Sequence, residues 1–132
     1  GTSNYIAAIG LGEAIRYLDT LDPKEVMRHE QQLLEYATKK LQGVDGLRIY
    51  GNQPDKCGIV SFTIDGTHPM DVGMILDKMG IAVRTGTHCA EPVMTHYGIT
   101  SMVRASFALY NDFTDIDRLE AGVQRAARML RA

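Results

Sequence analysis

Between Asp22 and Ile64 the apolar residues change from a helical period to the twofold period of strands, so this chain must pack helices against a sheet. Asp22-Pro23-Lys24-Glu25 supplies a capping carboxylate, a proline at the first helical position and an acidic residue at the third. Val26, Leu33, Ala37 and Leu41 then share one face until Gly43 stops the helix. Beyond it, Leu47-Arg48-Ile49-Tyr50 and Gly58-Ile59-Val60-Ser61-Phe62-Thr63-Ile64 read as strands. Gly51-Asn52-Gln53-Pro54 separates them, and Asp65-Gly66 closes the second.

The remaining elements follow from the same two periods. Leu11, Ile15 and Leu18 recur at helical spacing, which predicts a helix over about residues 5–20 with Glu13, Arg16 and Asp19 towards water. Pro69 opens another helix, with Val72, Ile75, Leu76 and Met79 on one side and Gly80 as its stop. Ile81-Ala82-Val83 is expected to be a short strand, followed by a loop from Arg84 to Ser101 and a strand from Met102 to Ala108. A last helix, capped at Thr114, turns Ile116, Leu119, Val123, Ala127 and Leu130 inward. The expected order is α, α, β, β, α, β, β, α. With no repeat, low-complexity tract or linker, residues 1–132 form one α+β domain with helices on a small, mostly antiparallel sheet. These patterns leave the strand order open.

At 132 residues the chain is long enough to bury roughly two thirds of its unfolded surface. Its net charge of −2, with no Lys/Arg cluster, gives no electrostatic case for nucleic acid or an anionic membrane. No apolar run approaches a membrane span, and the first residues lack a signal-peptide pattern. Cys57 and Cys89 stand in unlike contexts outside any Cys-x-x-Cys pair, as expected of reduced thiols in a cytoplasmic setting. Gly1-Thr2-Ser3-Asn4 runs without Met straight into the first helical pattern, and the expectation is a piece of a longer protein.

Chemistry concentrates in Arg84-Thr85-Gly86-Thr87-His88-Cys89-Ala90-Glu91-Pro92, which gathers a cation, an imidazole and a thiol among turn-forming residues. Pro92 can start a short helix that Gly98 ends, which sets Cys89 just ahead of a helix N-terminus, where the dipole favours a thiolate. Arg84 or a protonated His88 would act in the same direction. Two readings of Cys89 stand on the residues alone: a small buried apolar side chain, or a nucleophile. A zinc site from Cys57, His88, Cys89 and His96 lacks the short paired spacings of structural zinc ligands, and no metal is expected.

This segment, with Arg104-Ala105-Ser106-Phe107-Ala108-Leu109-Tyr110-Asn111 downstream, closely resembles the Arg-x-Gly-x-His-Cys-Ala signature and Arg-Ala-Ser strand of Suf-type cysteine desulfurases and selenocysteine lyases. These belong to the class V aminotransferases. The likeness runs from Gly1-Thr2 through Gly10-Leu11-Gly12, Tyr50-Gly51 and Asp71-Val72-Gly73 to the final helix. It implies the small C-terminal domain of a fold-type I enzyme that uses pyridoxal phosphate to convert L-cysteine to L-alanine, leaving a persulfide for iron-sulfur cluster assembly. By the same resemblance Cys89 is the nucleophile, Arg104 grips the substrate carboxylate, and Arg84 lies close to the same site. Thr2 matches a threonine that approaches the cofactor phosphate of the partner subunit, although Ser3 stands where the family commonly has proline. A homodimer and a sulfur-acceptor protein are implied partners.

Each residue also has a plainer reading. Arg104, with Val103, Ala105 and Phe107 on the opposite face, reads by itself as a solvated or salt-bridged strand arginine, and Arg84 likewise. His88 reads as a support for the loop backbone, while His29, His68 and His96 read as surface, cap or turn residues. Two departures from the family pattern matter: Thr87 replaces the first of two histidines, and Glu91 puts a carboxylate beside the thiol. The family's Schiff-base lysine lies in a Ser-x-His-Lys context, which none of Lys24, Lys39, Lys40, Lys56 or Lys78 has. The chain alone is therefore expected to be inactive. A non-catalytic sulfur carrier or docking module, and a selenocysteine lyase, are the rival readings.

Overall fold

The computed structural model describes residues 1–51, 53 and 56–131. In chain order it contains α1 (Tyr5–Asp19), α2 (Pro23–Gln42), β1 (Leu47–Tyr50), β2 (Ile59–Ile64), α3 (Pro69–Lys78), β3 (Arg84–Gly86), α4 (Glu91–Tyr97), β4 (Met102–Ser106) and α5 (Phe113–Leu130). The strands pair in the order β1-β2-β4-β3, and every pairing is antiparallel. The α+β architecture expected from the sequence is the one observed.

Alternation along the strands divides the sheet into two unlike faces. Val60, Phe62 and Ile64 of β2, with Val103 and Ala105 of β4, are buried in the main core. Leu33, Leu34, Ala37 and Leu41 of α2, Val72 and Leu76 of α3, and Ile116, Leu119 and Val123 of α5 complete it. The opposite face is covered only in part, by a small cluster of Tyr50, Met94 and Met102 with Tyr97 and Ile99 against it. Tyr50 stacks edge-on against Tyr97 at 4.9 Å between centroids, so α4 rests on the outer side of the sheet.

Local capping fixes most element ends. Asp22 accepts from the Lys24 amide at 2.9 Å with Pro23 opening α2, as its sequence predicts. Gly98 stops α4 in the left-handed conformation, at φ 66°. Gly73 allows α3 to lie directly on β3: a Cβ there would stand 2.5 Å from the Thr85 methyl. That close approach seats the strand that carries Arg84.

Three expectations are corrected. Ile81-Ala82-Val83 is not a strand; the third strand in sequence is Arg84–Gly86. The Ile81 amide is taken by the Leu76 carbonyl at the end of α3, so this segment peels off the helix before the ladder to β4 begins at Arg84. Strand β4 stops at Ser106 rather than Ala108, whose amide turns to the Asn111 side chain. The cap of α5 is Asp112 rather than Thr114: its carboxylate accepts from the Thr114 and Asp115 amides at 2.8 and 3.0 Å, and Asp115 answers with a bond to the Asp112 amide. The order becomes α, α, β, β, α, β, α, β, α.

Helix α1 has the expected apolar residues but contributes none of them to the core. Tyr5, Ile6, Ile9, Leu11, Ile15, Tyr17 and Leu18 are all between 51% and 72% exposed. A helix so apolar is ordinarily covered. Among the described residues, no helix is long and apolar enough to cross a membrane.

Candidate active site

Register across the outer face of the sheet aligns four residues in one row: Tyr50 opposite Ser61, Ser61 opposite Arg104, and Arg104 opposite Arg84. The two arginines are thus direct cross-strand neighbours, an arrangement of like charges that costs stability unless an anion lies between them. Among the described residues, neither forms an ion pair with a carboxylate. The Nε of Arg104 is buried without a hydrogen-bond partner among them. A buried donor left in this way is expensive. Among the described residues Arg104 is therefore not salt-bridged, and its Nε is withdrawn from solvent although the residue as a whole is only half-buried.

Strand β3 delivers the chain into a tight turn, Thr87-His88-Cys89-Ala90, closed by the Ala90 amide donating to the Thr87 carbonyl at 2.9 Å. Both central residues, His88 and Cys89, have φ of 57°. Positive φ at both positions marks a type I′ turn, which glycine and asparagine favour. For residues with a Cβ the left-handed region costs about 1–2 kcal/mol each. The turn projects Cys89 into solvent, so it is not the small buried residue of the plainer reading.

Arg84 reaches back over this turn and its Nη2 donates to the Cys89 Sγ at 3.5 Å. This contact sets a cationic hydrogen-bond donor directly against the sulfur. Glu91 is exposed and makes no hydrogen bond or ion pair with Cys89 or Arg84 among the described residues. His88 places its Nε2 3.1 Å from the Met102 carbonyl, while its Nδ1 is buried without a partner. Burial holds the imidazole pKa below its ordinary value against the raising effect of that backbone bond, and the nearby charges of Arg104 and Arg84 push it further down.

The structure thus brings Arg84, His88, Cys89 and Arg104 together. Thr2 remains outside, on the exposed segment ahead of α1, with no hydrogen bond to any of them. Ser61 stands beside Arg104 on β2, a neighbour that only the strand order reveals. The second thiol, Cys57, is exposed as well and sits towards the Tyr50 end of the same row. Cys57 lines an apolar depression of about 330 Å³ with Tyr50, Gly51, Lys56, Ile59 and Ser61, and burial lowers the Lys56 amine from its ordinary pKa. Among the described residues, no three His, Cys, Asp or Glu side chains converge as metal ligands.

The Aminotransferase class-V family matches residues 1–119. The chain belongs to that family. A relative named cysteine desulfurase, from Escherichia coli O127:H6, is 45% identical over 130 residues, which cover 98% of this chain and 32% of the relative. The chain therefore spans about a third of the length of the curated relatives it matches. Among solved structures, an apo cysteine desulfurase from Thermococcus onnurineus NA1 superposes with a TM-score of 0.91 at 37% identity, over 98% of this chain and 33% of that one. The S-sulfonic acid form of the cysteine desulfurase CsdA from Escherichia coli also gives 0.91, at 33% identity over 98% and 32%.

Proposed function

We propose that this chain is the C-terminal small domain of a Suf-type cysteine desulfurase, with Cys89 as the residue that takes sulfur from L-cysteine. The observation that carries the reading is the exposed Cys89 thiol under the Arg84 guanidinium, one strand from the unsatisfied Arg104. The likeness to cysteine desulfurases over 98% of the chain supports it.

The residues present fit one edge of a pyridoxal phosphate site. The orphaned Arg104 Nε and the facing Arg84 suit the carboxylate of an amino acid held by that cofactor, since a guanidinium fork can bind both oxygens at once. Thr2 would hold the cofactor phosphate through its hydroxyl, and its position away from the Cys89 turn suits a contact made to a second subunit of a homodimer. None of the five lysines has the Ser-x-His-Lys context of the family, and of them Lys40 is occupied by Asp117 and Glu120 while Lys56 lies beside Cys57. The Schiff-base lysine then belongs to a large domain, whose packing on α1 would cover the exposed apolar residues of that helix. Pyridoxal phosphate, when bound, supplies the electron sink that lets the carbon–sulfur bond break.

In the reaction, Arg104 and Arg84 fix the carboxylate and so aim the substrate sulfur at Cys89. The Cys89 thiolate attacks that sulfur; a sulfur–sulfur bond forms as the carbon–sulfur bond breaks, its electron pair stays on carbon, and a proton completes L-alanine. The persulfide remains on an exposed turn, where an acceptor protein can collect it for iron-sulfur cluster assembly. Two free thiols suit the reducing cytoplasm.

The test is to express the complete protein and this chain side by side, add pyridoxal phosphate, and measure L-alanine from L-cysteine and, in parallel, from L-selenocysteine. The complete protein should release alanine from cysteine, while this chain should neither hold the cofactor nor turn over. Alanine from selenocysteine alone would replace the reading with a selenocysteine lyase, and no alanine from either would leave a sulfur-carrier or docking module.

A further inference from the structure

The left-handed turn at Cys89 needs an external restraint, because its two central residues both carry a Cβ and only one backbone bond closes it. The β3–β4 ladder ends at the pair Gly86 and Met102, one residue before the turn. The carbonyl of that last Met102 is where the His88 side chain attaches, at 3.1 Å. An imidazole therefore continues the ladder by one further link where the backbone has left it. We propose that His88 is a positioning residue for the sulfur-accepting thiol: by donating to the Met102 carbonyl it pins the turn that holds Cys89 under Arg84.

The chemistry of the contact fixes its form. A carbonyl oxygen only accepts, so Nε2 carries the hydrogen and the imidazole is the Nε2–H tautomer. The buried Nδ1 then keeps an unpartnered lone pair, which marks this ring as held for its other nitrogen. Burial and the two arginines keep the ring neutral near pH 7, so it does not add a third cation beside Arg84 and Arg104. Met102 is itself buried against Met94 and Tyr50, so the anchor point is rigid. Without the link, Cys89 is free to swing away from Arg84, while the arginine pair that would grip the carboxylate is untouched.

This inference rests on the reading of Cys89 as sulfur acceptor, and the test separates the two. In the complete protein loaded with pyridoxal phosphate, His88→Ala removes the donor while keeping the Cβ and its left-handed cost, whereas His88→Gln keeps a side-chain N–H of similar reach. Expected for His88→Ala is a loss in kcat of about tenfold to a hundredfold, the scale of a misplaced reacting group, with KM for L-cysteine hardly changed. His88→Gln should recover most of it. Independently of turnover, amide exchange at Ala90 should accelerate in His88→Ala and remain native in His88→Gln, because that amide closes the turn. Native kcat or native Ala90 protection in His88→Ala would overturn the assignment, as would a His88→Gln variant as impaired as the alanine variant. If the unmodified enzyme formed no persulfide on Cys89, the sulfur-acceptor reading would fall and this proposal with it, even where the exchange pattern showed the turn restrained by His88.

Discussion

Arg84 and Arg104 stand directly opposite each other on β3 and β4, two guanidinium groups in register with no carboxylate between them among the described residues. Such a pair makes physical sense around an anion. Arg104→Lys replaces a planar fork with a point charge, and in the complete enzyme it should weaken binding of L-cysteine by about 1–3 kcal/mol, seen as a raised KM. Cofactor absorbance should be unchanged. Unaltered steady-state constants would return Arg104 to a merely solvated strand position.

The far end of the fold is tied by Arg131, which donates to the Asp65 and Asp45 carbonyls at 2.9 and 3.0 Å and pairs with the Asp45 carboxylate at 3.0 Å. Gly46 lies beneath it at φ 65°, and a Cβ there would come within 1.9 Å of the guanidinium. Gly46→Ala both strains the backbone and displaces the clamp, so it should destabilise the chain by about 1–3 kcal/mol. Urea unfolding checks this, and a midpoint equal to wild type would show that the clamp contributes nothing.

Stability should fall on acidification in two separate windows. The His88 pKa is held below the ordinary imidazole value, so between the two values the unfolded chain takes up a proton that the folded chain refuses. Its contribution is complete above about pH 6.5 and is lost as the pH falls through the folded pKa. Arg84 and Arg104 are the charges that face it. Asp112, held down by Thr114 and the Asp115 amide, and Asp117, held down by Lys40 and Tyr36, lose their contributions only below the ordinary carboxylate range. Chemical denaturation at pH 7, 5 and 3 should show both losses, and His88→Gln should remove the first alone. A wild-type slope between pH 7 and 5 in that variant would contradict the assignment.

How much of this was legible beforehand depends on whether the determining interaction was local. The Asp22 cap, the Pro69 start and the Gly98 stop each act within one helical turn, and each is found where its residues indicate. Ile81-Ala82-Val83 misled because β-branched residues report burial as much as pairing; Ile81 and Val83 do pack against the core, but the ladder to β4 starts after them. Thr114 and Asp112 are both plausible caps two residues apart, and only the reciprocal bond from Asp115 decides between them. The individual site residues Arg84, Cys89 and Arg104 were nameable from the motif. Their alignment was not, because it depends on β4 inserting between β2 and β3. The left-handed backbone at His88 and Cys89 was equally hidden, since tertiary restraints rather than residue preference hold it.

In the proposed reaction, sulfur is received by Cys89 and not by Cys57. Cys89 sits on a strained turn within reach of Arg84, whereas Cys57 lines an apolar depression at the start of β2. The direct measurement is persulfide-specific labelling of the complete protein after incubation with pyridoxal phosphate and L-cysteine, followed by peptide mass analysis, for wild type, Cys89→Ser and Cys57→Ser. A serine hydroxyl is barely ionised at neutral pH, so Cys89→Ser should retain the cofactor yet form no persulfide, while Cys57→Ser should label as wild type does. Label on the Cys57 peptide, or full alanine release from L-cysteine by Cys89→Ser, would contradict the account.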